Sequence, residues 1–370
     1  MSKTIKNQFY KNLTFQKLYE AHMRARLKKT HKPEIIQFEL NLENNLTNLL
    51  HKIQNHTYRL GKYYTFTLYE PKKRIIAALP YQDRIVHQWY VKEFMIPYIV
   101  PRFISNTFAC LEDRGTHSAA CRIQEYMREY EKKYGNYWIL KCDIRKFFYS
   151  IDPYILFQIM HKYISDKELL RFTKLLIFDS RLPNEKIGIP IGNYTSQFFA
   201  NTYLNELDQY IKHVLHVRAY VRYMDDFILL LHNKAECIAM KQKIENFLAE
   251  KLHLSLNDKS RYFPSKMGVN FCGYRIFPTH RLLRTSSKTK IKNKIRKWNQ
   301  LYESNSLNTF FAIQSLNSWL GHASHCNSYD LRKKMLNKCH FLYTDAIYPH
   351  IEKQLIEDSI SFLSNEKDLQ

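Results

Sequence analysis

Apolar positions recur along this chain with two different periods, and the switches between them mark its elements. Over residues 1–60 they are sparse and helically spaced, with Leu46, Leu49, Leu50 and Ile53 on one face. KYYTFTLY (62–69) and KRIIAAL (73–79) then read as two strands around Glu70-Pro71-Lys72. A helix is expected from Asp83, a good N-cap residue, through DRIVHQWYVKEFMIPYI, and another after Gly115-Thr116-His117. YWILKCDI (137–144) is an apolar strand ending in a carboxylate, followed by a helical stretch near Pro153. GIPIGNY (188–194) leads into the amphipathic SQFFANTYLNELDQYIKHVL. RAYVRYM and FILLLH then form two apolar strands with Asp225-Asp226 at their turn. A helix over about 236–251, a strand pair over about 254–277 and a helical tail from about 284 complete the pattern. Strands and helices mixed in this way predict an α+β fold.

Charge sharpens the picture. The 370 residues carry a formal net charge of +23, and acid-free Lys259–Tyr302 contains twelve Lys or Arg. A solvated helix face usually mixes signs. A basic surface of this kind suits a polyanion, because phosphate binding releases counterions. Fifty Tyr and Phe residues add rings on which bases can stack. The seven cysteines contain no C-x-x-C pair, which fits a reducing cytosol better than a disulfide framework. His322, His325, Cys326, Cys339 and His340 offer zinc-ligand chemistry in a spacing that matches no zinc module. The N-terminal sequence has no signal-peptide core, and no apolar run reaches the length of a membrane span, so a cytoplasmic protein without membrane contact is expected.

Two adjacent carboxylates at a hairpin tip repel by roughly 4 kcal/mol at about 4 Å and an effective dielectric near 20. A divalent cation would offset that, and hard oxygen ligands favour magnesium. Asp143 supplies a third acid at the end of a rigid strand. Three such carboxylates suit two ions that activate a 3′-hydroxyl and neutralise a leaving pyrophosphate. Either motif alone can be a solvated turn or a helix cap. Their combination with flanking apolar strands and high positive charge points to catalysis.

VRYMDDFILL, with Tyr223-Met224-Asp225-Asp226, resembles the signature hairpin of reverse transcriptases. KCDIRKFFYSID (141–152) is similar to the strand supplying that family's third aspartate, GIPIGNYTSQFFANTYLNELD (188–208) to its helix-entry motif, and GVNFCGY (268–274) to its primer-grip hairpin. PKKRIIAALPYQDRIVHQ and RGTHSAA resemble the fingers motifs of bacterial members, so the ordered match covers roughly residues 70–330. The resemblance implies a right-hand polymerase fold: an N-terminal helical extension (1–60), fingers and palm (61–283) and a helical thumb (284–370). It implies that Asp143, Asp225 and Asp226, with the backbone carbonyl of Ile144, hold two Mg²⁺ ions, for which Mn²⁺ can substitute. Phe148 would be the steric gate against a ribonucleotide 2′-hydroxyl, Arg74 would grip the triphosphate, and Lys259 would assist pyrophosphate departure. Ile191, Gly192 and Gln197 would line the nucleotide pocket. Tyr223, Met224, Cys272 and Gly273 would touch nucleic acid, and Lys290, Lys294 and Lys297 would track the template–primer backbone.

One departure narrows the resemblance. Most members carry Gln-Gly-x-x-x-Ser-Pro where this chain has Ile191-Gly192-Asn193-Tyr194-Thr195-Ser196-Gln197. That form resembles the enzymes of diversity-generating retroelements, encoded by bacteria or phages. Those copy a template-repeat RNA from a primer and deoxynucleoside triphosphates with errors at adenines, alongside a small basic oligomeric accessory protein. Losing a polar contact beside the nucleotide should loosen selection. An antiphage-defence or group II intron-like bacterial reverse transcriptase is the alternative, and a non-catalytic nucleic-acid-binding protein is the alternative of another class.

Overall fold

The computed structural model describes residues 4–69, 74–179 and 187–342. Within them the secondary structure is α+β, with helices surrounding short antiparallel sheets. The chain divides into two compact units, the first made of Met1–Gly115 and Trp138–Tyr262. The second joins Thr116–Tyr137 to the residues from Phe263 onward.

The first unit begins with short helices, among them Phe15–Arg26 and Leu42–Gln54, the latter burying Leu46, Leu49 and Ile53 as their spacing predicts. Strands β1 (Tyr64–Leu68) and β2 (Arg74–Ala78) pair antiparallel with Leu68 opposite Arg74. The expected turn at Glu70-Pro71-Lys72 lies outside the described residues. The following helix starts at Tyr81, not at Asp83. Asp83 is buried instead, where its carboxylate accepts from the Tyr58 hydroxyl at 2.6 Å and the Gly61 amide at 2.9 Å. A side chain with two such donors has a stronger use than a cap, which explains why propensity misplaced it.

The unit's sheet contains β3 (Trp138–Asp143), β4 (Tyr220–Tyr223) and β5 (Asp226–Leu231). Its order is β4-β5-β3, followed at the β3 edge by β6 (Arg261–Pro264), whose first two residues belong to this unit. Every residue of β5 after Asp226 is buried, because helices such as Tyr194–Gln209 and Lys234–Leu252 cover the sheet. The strands expected over about 254–277 fall at Arg261–Pro264, Val269–Phe271 and Tyr274–Ile276, the last two paired antiparallel; residues 254–260 ahead of them cross the end of β3 as irregular chain, with an isolated bridge from Ile144 to Leu256. That segment is used for side-chain and backbone clamping rather than for a ladder.

The second unit holds the helix Thr116–Tyr134, a small sheet in the order β7 (Val269–Phe271), β8 (Tyr274–Ile276), β9 (Arg281–Leu283), and the helices Thr285–Glu303, Thr309–Ser324 and Tyr329–Leu336. Ile291, Ile295 and Trp298 on the first of these pack with Ile313, Leu316 and Met335 in a separate apolar core. The helical tail is thus as expected through Leu342, and residues 343–370 lie outside the described residues. Among the described residues, no helix is long and apolar enough to cross a membrane.

Candidate active site

Pairing register brings the acids together. Asp143 lies opposite Asp226 across β3 and β5, and Tyr223 opposite Asp226 across β4 and β5. Only Met224 and Asp225 are left in the turn, and Met224 takes a φ of +55°. A two-residue hairpin needs that sign of φ at its first position to follow the strand twist. The Ile144 amide donates to the Asp225 carbonyl at 3.2 Å, so the turn is fastened to the chain leaving β3.

The carboxylates differ in their surroundings. Asp143 accepts from the Asn257 amide at 3.0 Å, while the Asn257 backbone N–H donates to the Asp143 carbonyl at 2.7 Å. Asp226 pairs with the Lys141 ammonium at 2.8 Å. Asp225 has its pKa raised to about 6, first by burial and then by the neighbouring Asp143 and Asp226 charges, with Arg74 pulling the other way. The site therefore holds more negative charge than its own cations balance, and a divalent ion would relieve it. Among the described residues, no three His, Cys, Asp or Glu side chains converge as a ready-made ligand set, at His322, His325 and Cys326 or anywhere else. Carboxylate oxygens suit a hard ion that keeps waters and takes further oxygens from substrate, as magnesium does.

The raised pKa has a signed consequence. Asp225 has a higher pKa folded (about 6) than its ordinary value of 3.8, so between these pH values the native state binds the extra proton. In chelator, stability should fall as pH rises from 3.8 to about 6 and then level off. Asp225→Asn removes that component, so the melting-temperature gap between variant and wild type should widen with pH over this window. A gap independent of pH would refute it.

Several nucleotide-pocket candidates are tied to one another by backbone hydrogen bonds. The chain turns after β3 through Lys146, at a φ of +45°, into the short helix Phe147–Ser150, which leaves Phe148 half-buried. The Phe148 carbonyl accepts from Ile189 N–H at 2.8 Å, and the Ile191 carbonyl accepts from Ala77 N–H at 2.9 Å. The 188–192 loop is thereby stitched between the Phe148 turn and the strand that carries Arg74. Gly192 has a φ of +130°, and an added Cβ would lie 2.5 Å from the Ala77 carbonyl oxygen. Gly192→Ala should cost about 2 kcal/mol or more, since both strain and a backbone clash oppose it. Chemical denaturation measures this, and weakened nucleotide binding should accompany it.

Arg74 and Gln197 are exposed, and Ile191 is half-buried. Lys259 is exposed beside the clamp, its N–H donating to the Asn257 side chain at 3.1 Å. Cys272 and Gly273 form the β7–β8 turn in the second unit, with φ values of +46° and +93°. Lys290, Lys294 and Lys297 are exposed and share one face of their helix, flanking the buried Ile291, Ile295 and Trp298, and the Lys294 ammonium donates to the Ser315 hydroxyl at 3.1 Å.

Sequence reasoning missed Asn257, Lys141 and, above all, Arg222. Arg222 is fully buried in an ion pair with Asp208, with Nε to Oδ1 at 2.7 Å, and its Nη1 donates to the Met224 carbonyl at 3.0 Å. Lys141 was legible as a charge at an alternate position on β3, and Arg222 as an isolated cation in an apolar strand. Their partners were not.

Two carboxylates facing each other across neighbouring strands, with a third in the adjoining turn, form an arrangement suited to metal-assisted nucleotidyl transfer. The family model described as reverse transcriptase (RNA-dependent DNA polymerase) matches residues 68–276, and the chain belongs to that family. Among characterised proteins it is 25% identical over 209 residues to a putative COX1/OXI3 intron 2 protein of Saccharomyces cerevisiae, covering 39% of this chain and 24% of that one. It is 24% identical over 250 residues to protein YkfC of Escherichia coli, covering 55% of this chain and 63% of that one. The chain thus spans less than two thirds of either relative. Among solved structures, an apo telomerase from Candida tropicalis matches at a TM-score of 0.45 and 14% identity over 65% of this chain and 60% of that one. A telomerase from Candida albicans in complex with a fragment of telomeric RNA matches at 0.46 and 13%, over 86% of this chain and 64% of that one.

Proposed function

We propose that the protein is an RNA-directed DNA polymerase that makes error-prone cDNA for a diversity-generating retroelement. It extends a DNA or RNA primer on a template-repeat RNA with deoxynucleoside triphosphates, and the mutated cDNA replaces part of a target gene. Asp143, Asp225 and Asp226 would hold Mg²⁺ or Mn²⁺, with the Ile144 carbonyl beside them. When bound, two such ions supply the charge that activates the primer 3′-hydroxyl and stabilises the departing pyrophosphate. Arg74, exposed at the start of β2, would bind the triphosphate, Phe148 would exclude a 2′-hydroxyl, and Lys259 would meet the pyrophosphate. The exposed Lys290, Lys294 and Lys297 suit a sugar–phosphate backbone, with salt-dependent affinity. A small basic oligomeric accessory protein is the expected partner, and the bacterial or phage-host cytoplasm the expected location.

The observation that carries the retroelement reading is Ile191. Its backbone is fixed to Ala77 on the Arg74 strand, while an apolar side chain stands where most relatives present glutamine. A pocket without that polar group loses a means of rejecting mispairs. Sequenced cDNA from primed RNA should show substitutions concentrated opposite template adenines, and Ile191→Gln should reduce them. An even error spectrum would reject the retroelement role and favour a group II intron-like enzyme. That second reading is supported by the similarity to an intron-encoded yeast protein.

A further inference from the structure

The aspartates are not equivalent, and Lys141 is the reason. Lys141 and Asp143 are alternate residues of β3, so their side chains leave the same face of the sheet. Asp143 lies directly opposite Asp226 in the register, which places Lys141 on the diagonal, and its ammonium meets Asp226 Oδ2 at 2.8 Å. Asp226 therefore has a cation supplied by the fold. The Asp143 carboxylate accepts from the neutral Asn257 amide, and Asp225, in the neighbouring turn, feels the Asp143 charge. The remaining negative charge lies on Asp143 and Asp225, where Arg74 offsets it only in part.

We infer that Lys141 is a positioning residue that holds Asp226 out of the first cation site, so that Asp143 and Asp225 form the tighter site and any ion that uses Asp226 must compete with the ammonium. This rests on the two-ion reading above and deepens it. A lysine at this place also keeps the sheet face from accumulating three uncompensated carboxylates in the free protein, a role in which a neutral side chain would fail.

Binding of Mn²⁺ to the nucleic-acid-free protein, followed by electron paramagnetic resonance of the free ion at pH 7.5, tests the assignment. Wild type should show one tighter and one weaker site. Lys141→Met should tighten the weaker one about tenfold, the size expected for removing a neighbouring positive charge at intermediate dielectric. Lys141→Arg, which keeps the charge, should bind as wild type does. Asp226→Asn should retain the tighter site, whereas Asp143→Asn should lose it. A Lys141→Met isotherm superimposable on wild type, or loss of the tighter site in Asp226→Asn, would overturn the inference. Melting curves of each variant in chelator separate misfolding from altered binding. A protein with this Mn²⁺ pattern that failed to extend primed RNA would sink the polymerase reading and leave the role of Lys141 intact.

Discussion

Asp225→Asn is expected to lower primer extension on RNA by about 10³-fold or more, corresponding to roughly 4 kcal/mol of lost transition-state stabilisation. Asp225 occupies a turn closed by only two residues, and its backbone carbonyl is held by the Ile144 amide. Asp226 cannot swing in to replace it, being committed to β5 and paired with Lys141. The same change removes a partly buried charge next to Asp143, so the metal-free variant should melt higher than wild type at pH 7. Loss of activity with gain of stability is the signature of a site strained for function. Primer extension at saturating Mg²⁺, paired with calorimetry in chelator, reads both. Near-wild-type extension by this variant would end the two-ion mechanism.

What could be read from sequence divides by the range of the interaction. The hairpin around Asp225-Asp226, the strand ending in Asp143 and the basic helix face bearing Lys290, Lys294 and Lys297 were legible because each is a local period of two or 3.6 residues. The Gly192 turn was legible as a glycine, while its reason, the carbonyl of Ala77 far earlier in sequence, was not. Asn257 illustrates the limit. Nothing in LSLNDKSR distinguishes its asparagine from an ordinary turn residue, yet it grips both the backbone and the side chain of Asp143. The strand pair expected over about 254–277 begins later than its outer bound for the same reason: residues 254–260 satisfy their polar groups against the end of β3 individually, with a turn at Asn257–Ser260, rather than along a ladder. Asp83 failed in the opposite sense, as a good cap residue consumed by a buried contact.

Arg222→Met is the second large effect, and it should fall on stability first. The Arg222 guanidinium and the Asp208 carboxylate are both fully buried. The Tyr220 hydroxyl donates to Asp208 at 2.7 Å and the Thr107 hydroxyl at 2.9 Å, while Arg222 also donates to Asn201 at 3.0 Å. Burial opposes the arginine's charge, and Asp208 more than offsets it, leaving the guanidinium pKa raised. Removing the cation alone strands a buried carboxylate and should cost about 3–5 kcal/mol. Converting Asp208 to Asn in the same molecule removes the stranded charge while retaining an acceptor for Tyr220, so most of that stability should return. Activity should not return with it. The Met224 carbonyl, which anchors the turn at its positive-φ residue, still lacks its charged donor, and a hydrogen bond of that kind contributes about 1.5–3 kcal/mol. The double variant should thus fold well and extend primers at least about tenfold more slowly, with kcat falling more than the nucleotide KM rises. Urea denaturation and single-nucleotide incorporation on the same preparation separate the two effects. A double variant both stable and fully active would mean that the buried pair supports only the fold, and that the catalytic turn holds its shape through the β4–β5 register alone.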